Sequence, residues 1–191
     1  VKGKLIVFSA PSGSGKTTVM KKILKQFPDL VFSISATTRK KRPAETEAKD
    51  YFFLSEDEFT EKIKNDLFVE WEKFYGYYYG TLKSFVDDNI SSGKNVIFEV
   101  DVKGAISIKQ NYPEANLIYL LPPSIEELRN RLIARKTETD EDLRKRIERA
   151  ELELSYKDRF DFVVLNDKLE KAINEVCEIV EKIIKGDNHA A

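Results

Sequence analysis

The sequence predicts an α/β protein built on a doubly wound parallel sheet, with a small mixed lobe and a helical flap inserted into it. Three observations carry this. Four apolar runs, LIVF (5–8), VIFEV (96–100), LIYLL (117–121) and FVVL (162–165), lack the alternation of a half-exposed strand and read as strands buried on both faces. Helical patterns separate them, as a sheet with crossover helices requires. The 191 residues, 41% hydrophobic and 34% charged, suit one sizeable core with appended lobes better than several independent ones.

In chain order, LIVF feeds SAPSGSGKTT (Ser9–Thr18), and a helix is predicted from Lys16 to Phe27. A second runs from Thr81 to Ser92 and stops at Gly93, and a third, Val102 to Gln110, precedes Pro113. Ser124-Ile-Glu-Glu127 is a capping box that opens a helix to about Arg135. Residues 141–157 and 168–185 complete the helical set. Two stretches break the rhythm. Residues 36–80 hold TTRKKRP, YFFL, a short helix opened by the box Ser55-Glu-Asp-Glu58, and the aromatic FVEWEKFYGYYYG. Residues 124–157 are all helix, rich in arginine, and hang between Pro122-Pro123 and Phe160-Asp161. The expected division of this single domain is a core of about 1–34, 82–123 and 158–186, a lobe of about 35–81 and a flap of about 124–157.

A net charge of −1 gives no global basic field, so no nucleic-acid partner is expected, and any polyanionic ligand must be met by a few placed cations. No run of about 18 apolar residues suggests a membrane span, and VKGKLIVFSA is too short an apolar stretch for a secretory signal. The single cysteine, Cys177, lies on a predicted helix face and has no internal partner, which fits a reducing, cytoplasmic setting. The tail GDNHAA (186–191), with the only histidine, His189, is expected to be a frayed end without a role.

SAPSGSGKTT carries the chemistry. The P-loop pattern asks for Gly, four residues, then Gly-Lys-Ser/Thr, and here Ala10 stands at the first glycine. Gly13 and Gly15 supply backbone freedom, and the N–H groups of such a loop, with the positive end of the following helix, bind phosphate oxygens. Lys16 can reach the β- and γ-phosphates and the Thr17 hydroxyl suits Mg²⁺. Alanine is tolerable at position 10 if its φ is negative. The nucleotide-binding candidates are therefore Ala10, Pro11, Ser12, Gly13, Ser14, Gly15, Lys16, Thr17 and Thr18. The base-reading Asn-Lys-x-Asp of GTPases is absent; LNDKLE (165–170) does not supply it. In the insert, Arg39 and Arg42 followed by Tyr51 can clamp one phosphate, since guanidinium forks match phosphate oxygens. Taken alone, the same residues read more readily as a solvated basic stretch.

The ordered set decides between these. SAPSGSGKTT, SxSxTTRxxRxxE (33–45), KDYxF (49–53), FVEW (68–71), YYGT (78–81), VIFEVD (96–101), PPS (122–124), RxxxRxTET (131–139) and LND (165–167) resemble guanylate kinases in sequence and order, over about residues 4 to 183. The resemblance implies a P-loop NTPase core with a GMP-binding lobe and a lid, and transfer of the ATP γ-phosphoryl group to GMP, giving ADP and GDP with Mg²⁺ as cofactor. By this resemblance the GMP phosphate meets Arg39, Arg42, Tyr51 and Tyr79, and the guanine meets Ser35, Glu70, Thr81 and Asp101. Lys16, Arg42 and the lid residues Arg131, Arg135 and Arg146 supply counter-charge for catalysis. Arg135, Asn166 and Asp167 join the P-loop on the ATP side, although Asn166 reads equally as a helix N-cap. Arg129, Arg144 and Arg149 are expected to be solvated. The chemistry agrees: guanine N1–H and its exocyclic N2–H suit a carboxylate, and O6 suits a hydroxyl such as Ser35 or Thr81.

Two positions depart from the family pattern. Glu99 stands where Asp is usual, so a role toward Mg²⁺ beside Thr17 is open, and Lys136 follows Arg135 where a small or polar residue is common. Two other readings compete: a non-enzymatic module of the same fold that binds phosphorylated peptide, and a kinase for another nucleoside monophosphate. The retained Lys16, Thr17, Arg39, Arg42 and Glu70 oppose the first, and the guanine-directed acids and hydroxyls oppose the second.

Overall fold

The computed structural model describes residues 2–11, 13–74, 76–134 and 140–186. In chain order the first elements are β1 (Leu5–Ser9), α1 (Lys16–Gln26), β2 (Val31–Phe32), β3 (Ala36–Thr37), β4 (Phe52–Phe53) and α2 (Glu56–Lys64). Then come β5 (Phe68–Phe74), β6 (Tyr77–Leu82), α3 (Lys83–Ser91), β7 (Val96–Glu99) and α4 (Val102–Asn111). The chain continues through β8 (Asn116–Leu121), α5 (Ile125–Ala134), α6 (Asp140–Leu154), a 3₁₀ turn (Lys157–Arg159), β9 (Phe162–Leu165) and α7 (Leu169–Lys185). Among the described residues no helix is long and apolar enough to cross a membrane.

The core sheet is parallel throughout, in the order β2-β7-β1-β8-β9. Its strands bury both faces. Ile6 and Phe8 pack with Val19, Met20 and Ile23 of α1 and with Val176, Val180 and Ile183 of α7. Leu5 and Val7 point the other way, onto Val86 and Ile90 of α3 and Ala105 and Ile108 of α4. That two-sided demand explains why the strands read as unbroken apolar runs. β1 lies at the centre, between β7 and β8, so the chain leaves its carboxyl end where the strand order reverses, the usual ligand crevice of an open α/β sheet.

The structure differs from the sequence expectations in places. A fifth core strand, β2, is two residues long, too short to show a period. The helix expected from Thr81 begins at Lys83, because Thr81 and Leu82 still pair with Glu70 and Phe68 of β5. The helix expected over 141–157 ends at Leu154, and the 3₁₀ turn follows.

Residues 36–82 build a second sheet in the order β4-β3-β6-β5. Its own small core holds Ala36, Phe59 and Phe68, with Phe59 stacked on Phe68 at 4.2 Å and on Tyr78 at 5.3 Å. Helix α2 is held at its start by the predicted capping box, Ser55 and Glu58 each bonding the other's backbone N–H. A β-bulge does the rest. A register shift between Phe68 and Glu70 turns the rest of β5 over, so that while the α2 side takes Phe68 and Tyr78, the opposite face of the β5–β6 hairpin presents Glu70 across from Thr81 and Glu72 across from Tyr79. Helices α5 and α6 pack on each other through Leu128, Ile147 and Ala150. The end of α6 is tied to the core by Tyr119, whose hydroxyl donates to the Glu153 carbonyl at 3.2 Å.

Candidate active site

The P-loop is held from three sides. Gly13 and Gly15 both have φ of 90°, a left-handed conformation that a side chain disfavours, and Gly15 is the N-cap of α1. Only Ala48 and Asp66 are non-glycine residues with positive φ among those described, so Ala10, buried at the end of β1, needs no glycine there. The Ser14 hydroxyl donates to the Pro11 carbonyl at 2.7 Å, closing the turn on itself. The Ser14 carbonyl in turn accepts from Asn166 Nδ2 at 2.7 Å. Asn166 is buried, and a Cβ at Gly15 would come within 3.2 Å of the same Nδ2. The N-cap reading of Asn166 is thereby corrected: Lys168 is the N-cap of α7, and the Asn166 amide braces the phosphate loop. Its neighbour Asp167 is exposed, accepts from the Lys168 N–H at 2.8 Å and faces Lys171 at 3.7 Å.

Lys16 donates to the Val100 carbonyl at 3.3 Å and lies 4.0 Å from Glu99 Oε1. The Thr17 hydroxyl donates to the same Glu99 oxygen at 3.4 Å. A hydroxyl and a carboxylate this close are hard oxygen donors of the type Mg²⁺ takes, alongside substrate phosphates, when it is not held by an all-protein cage. No group of three or more acidic, histidine or cysteine side chains able to hold a metal occurs among the described residues. Glu99 therefore fits the cation despite its extra methylene. Thr18 is exposed on the first turn of α1, and Ser12 lies outside the described residues.

Across the crevice, the hairpin face carries the second set. Thr81 donates its hydroxyl to Glu70 Oε1 at 2.7 Å. Burial pushes the Glu70 carboxyl up to about 7; the Thr81 bond opposes this, while the nearby Asp101 and Glu72 add to it. Asp101 is the N-cap of α4, taking the Gly104 N–H at 2.8 Å. Gly104 allows this approach: a Cβ there would sit 3.3 Å from Asp101 Oδ1 and 3.5 Å from Glu70 Oε2. Glu70, Glu72, Asp101, Lys103 and Gly104 line a cavity of about 370 Å³. Ser35 immediately precedes β3 and its carbonyl accepts from the Phe52 N–H at 3.0 Å.

Arg39, Tyr51 and Tyr79 lie together. The Arg39 guanidinium lies 5.4 Å from the centre of the Tyr51 ring, and the Tyr51 and Tyr79 rings meet edge-on at 6.2 Å. Arg39 makes a two-pronged bond to Glu45, at 2.6 and 3.1 Å, which holds the Glu45 carboxyl below its usual range. Glu45 also accepts the Arg42 backbone N–H at 2.8 Å, so one carboxylate organises the loop that carries both arginines, while the Arg42 side chain stays exposed.

The flap arginines divide. Arg129 pairs with Glu151 and Arg144 lies beside Glu148, both well exposed, as expected. Arg149 is only partly solvated, where full solvation was expected. It donates to Asp101 Oδ2 at 2.7 Å and to Glu153 Oε1 at 2.9 Å, with Glu72 at 3.5 Å. Arg146 is half-buried on α6; Arg131 belongs to α5 by its backbone, and its side chain, like Arg135, Lys136 and His189, lies outside the described residues. Sequence reasoning missed Glu72, Arg149 and the bracing role of Asn166. Only Glu72 left a signal, the spacing Glu70-x-Glu72 on one strand face.

Comparison with known proteins agrees with this geometry. The family model described as guanylate kinase matches residues 2–183. The guanylate kinase of Chlorobaculum tepidum is 48% identical over 183 residues, covering 95% of this chain and 94% of that protein. That of Thermotoga maritima is 46% identical over 180 residues, covering 94% and 87%. The crystal structure of guanylate kinase from Anaplasma phagocytophilum superposes with a TM-score of 0.72 at 29% identity, covering 96% of this chain and 87% of that one. With a P-loop, a facing acidic hairpin and a family match along almost its whole length, the chain belongs to the guanylate kinase family.

Proposed function

We propose that this chain performs the reaction its family is named for, transferring the γ-phosphoryl group of ATP to GMP and yielding ADP and GDP. One observation supports it above the rest. Lys16, the phosphate-binding lysine, is hydrogen-bonded to the carbonyl of Val100, and the next residue, Asp101, belongs to the acidic pocket with Glu70. Donor and acceptor sides thus share one short loop.

In this reading Glu70 accepts from guanine N1–H and N2–H, with Asp101 as a second acceptor. Thr81 has one hydroxyl proton, and it already goes to Glu70, so Thr81 aims the carboxylate and Ser35 is left to donate to O6. Adenine would turn its N1 lone pair toward Glu70, an unpaired contact that such a site rejects strongly. The GMP phosphate is held by Arg39, Arg42, Tyr51 and Tyr79. These contacts reach base and phosphate only, so dGMP is also a substrate.

Phosphoryl transfer needs position and charge neutralisation rather than covalent help. The acceptor is a phosphate oxygen whose second ionisation lies near a pKa of about 6, so it is already ionised at neutral pH and no general base is needed. The difficulty is repulsion between two anions. Lys16 and Arg42, with Arg131, Arg135 and Arg146 from the lid, oppose it by surrounding the phosphates with cations. Mg²⁺ bound with ATP adds positive charge at the phosphate oxygens, and Thr17 and Glu99 are the residues that would hold it. Residues 35–81 act as the GMP-binding lobe and 124–157 as the lid; their closure on the core excludes water that would otherwise hydrolyse ATP.

A coupled ADP-release assay with MgATP and GMP, dGMP, AMP or UMP tests the reading. Turnover with GMP and dGMP and little with AMP or UMP is the expected result. Equal use of AMP, or no turnover at all, overturns it.

A further inference from the structure

We propose that Arg149 is a positioning residue for GMP: its guanidinium fastens lid helix α6 to Asp101 of the core and to Glu72 of the GMP-binding lobe, fixing the wall of the guanine site. This rests on the assignment of guanine to Glu70 and Asp101 above.

The arrangement is more than a surface ion pair. Arg149 Nη2 meets Asp101 Oδ2 at 2.7 Å and Glu72 Oε1 at 3.5 Å, while Nε is held by Glu153 Oε1 at 2.9 Å, one helical turn along. The guanidinium also lies 5.7 Å from the centre of the Phe74 ring, at the end of the strand that carries Glu72. Arg149 is half-buried, and the Glu153 and Asp101 side chains are 11% and 24% exposed, so these two pairs are screened less than those on the open surface, while Glu72, more exposed and at 3.5 Å, is the weaker contact. One cation thus touches all three regions that must come together around the acceptor.

Two consequences follow for the site. Asp101 has its carboxylate held at both ends, Oδ1 by the Gly104 N–H and Oδ2 by Arg149, and each oxygen keeps a lone pair for a ligand donor. Glu72 and Asp101 line both the cavity beside Glu70 and a smaller one of about 170 Å³ beneath α6, with Arg149 on the wall of the smaller one. Without its guanidinium, Glu72, Asp101 and Glu153 would face one another as like charges. The fork matters as well as the charge, since an ammonium is a point charge without the guanidinium's rigid set of donors.

The test compares wild type, Arg149→Ala and Arg149→Lys by calorimetric titration of GMP without ATP and by steady-state KM for each substrate, with thermal melts to verify folding. Loss of a charge-assisted contact should weaken GMP binding about tenfold in Arg149→Ala. KM for ATP should stay within about twofold of wild type, because the side-chain hydrogen-bond partners of Arg149 among the described residues, Asp101, Glu72 and Glu153, are none of them assigned to ATP, and Arg149→Lys should lie between the other two. Unchanged or tighter GMP binding in a folded Arg149→Ala overturns the proposal, as does an equal rise in KM for ATP and GMP. Wild-type turnover is the control that separates the two readings: failure there removes the assigned function, whereas failure confined to the variants removes only the role of Arg149.

Discussion

Thr81 and Glu70 face each other across the β5–β6 hairpin, joined by a 2.7 Å hydrogen bond from hydroxyl to carboxyl. The bond partly offsets a cost. Burial raises the Glu70 carboxyl to about 7, so its ability to accept from guanine depends on pH near neutrality.

The rate constant kcat/KM for GMP should therefore rise through an apparent pKa near 7 that belongs to free enzyme. Glu70→Gln should lose that inflection and keep the one near pH 6 from the GMP phosphate. The stability effect has the opposite sense. A carboxyl raised on folding contributes stability that is fully present below its unfolded value and lost as pH rises through about 7. In thermal melts without ligand, Glu70→Gln should be more stable than wild type at pH 8, and the difference should narrow toward pH 5. A constant difference across this range would contradict the assignment.

Asn166 reaches back from the end of β9 to hold the Ser14 carbonyl, so the phosphate loop depends on a residue 152 positions away in the chain. Asn166→Ala leaves that buried carbonyl without a donor and should cost about 1–3 kcal/mol of stability. KM for ATP should rise about tenfold while calorimetric GMP affinity is unchanged. Equal losses for both nucleotides would place Asn166 elsewhere in the mechanism.

Arg42 is exposed, while the backbone of its loop is pinned by Glu45. Arg42→Ala should leave the melting temperature unchanged and lower kcat by about 10²–10³, the scale for removing one donor aimed at transition-state charge. Glu45→Ala should instead raise KM for GMP, since Arg39 loses its two-pronged partner and the loop loses its brace. A normal kcat in Arg42→Ala would remove that side chain from the site.

The core was legible because its physics is local. LIVF, VIFEV, LIYLL and FVVL are unbroken because strands between two helical layers have no polar face, and the glycines of the P-loop announce positive φ. β2 was not legible: Val31 and Phe32 pair with Val96 and Ile97, but two residues carry no period. The direction of Glu70 came from resemblance rather than pattern. As a strand residue beside exposed Trp71 it reads as solvent-facing until α2 is seen to cover the other face through Phe59. Arg149 was hidden for a different reason. Its partners Glu72 and Asp101 lie 77 and 48 residues away, and an arginine-rich helix gives no sign of which side chain will turn inward.

The most direct measurement is the ratio of kcat/KM for GMP over AMP in wild type and in Glu70→Gln at pH 8, where the wild-type carboxyl is ionised. A hydrogen-bonding site for guanine predicts a wild-type ratio on the order of 10⁴, falling by at least about 10²-fold in the variant. An unchanged ratio in a folded Glu70→Gln would mean that guanine is read elsewhere, and the account of the acceptor site would be wrong.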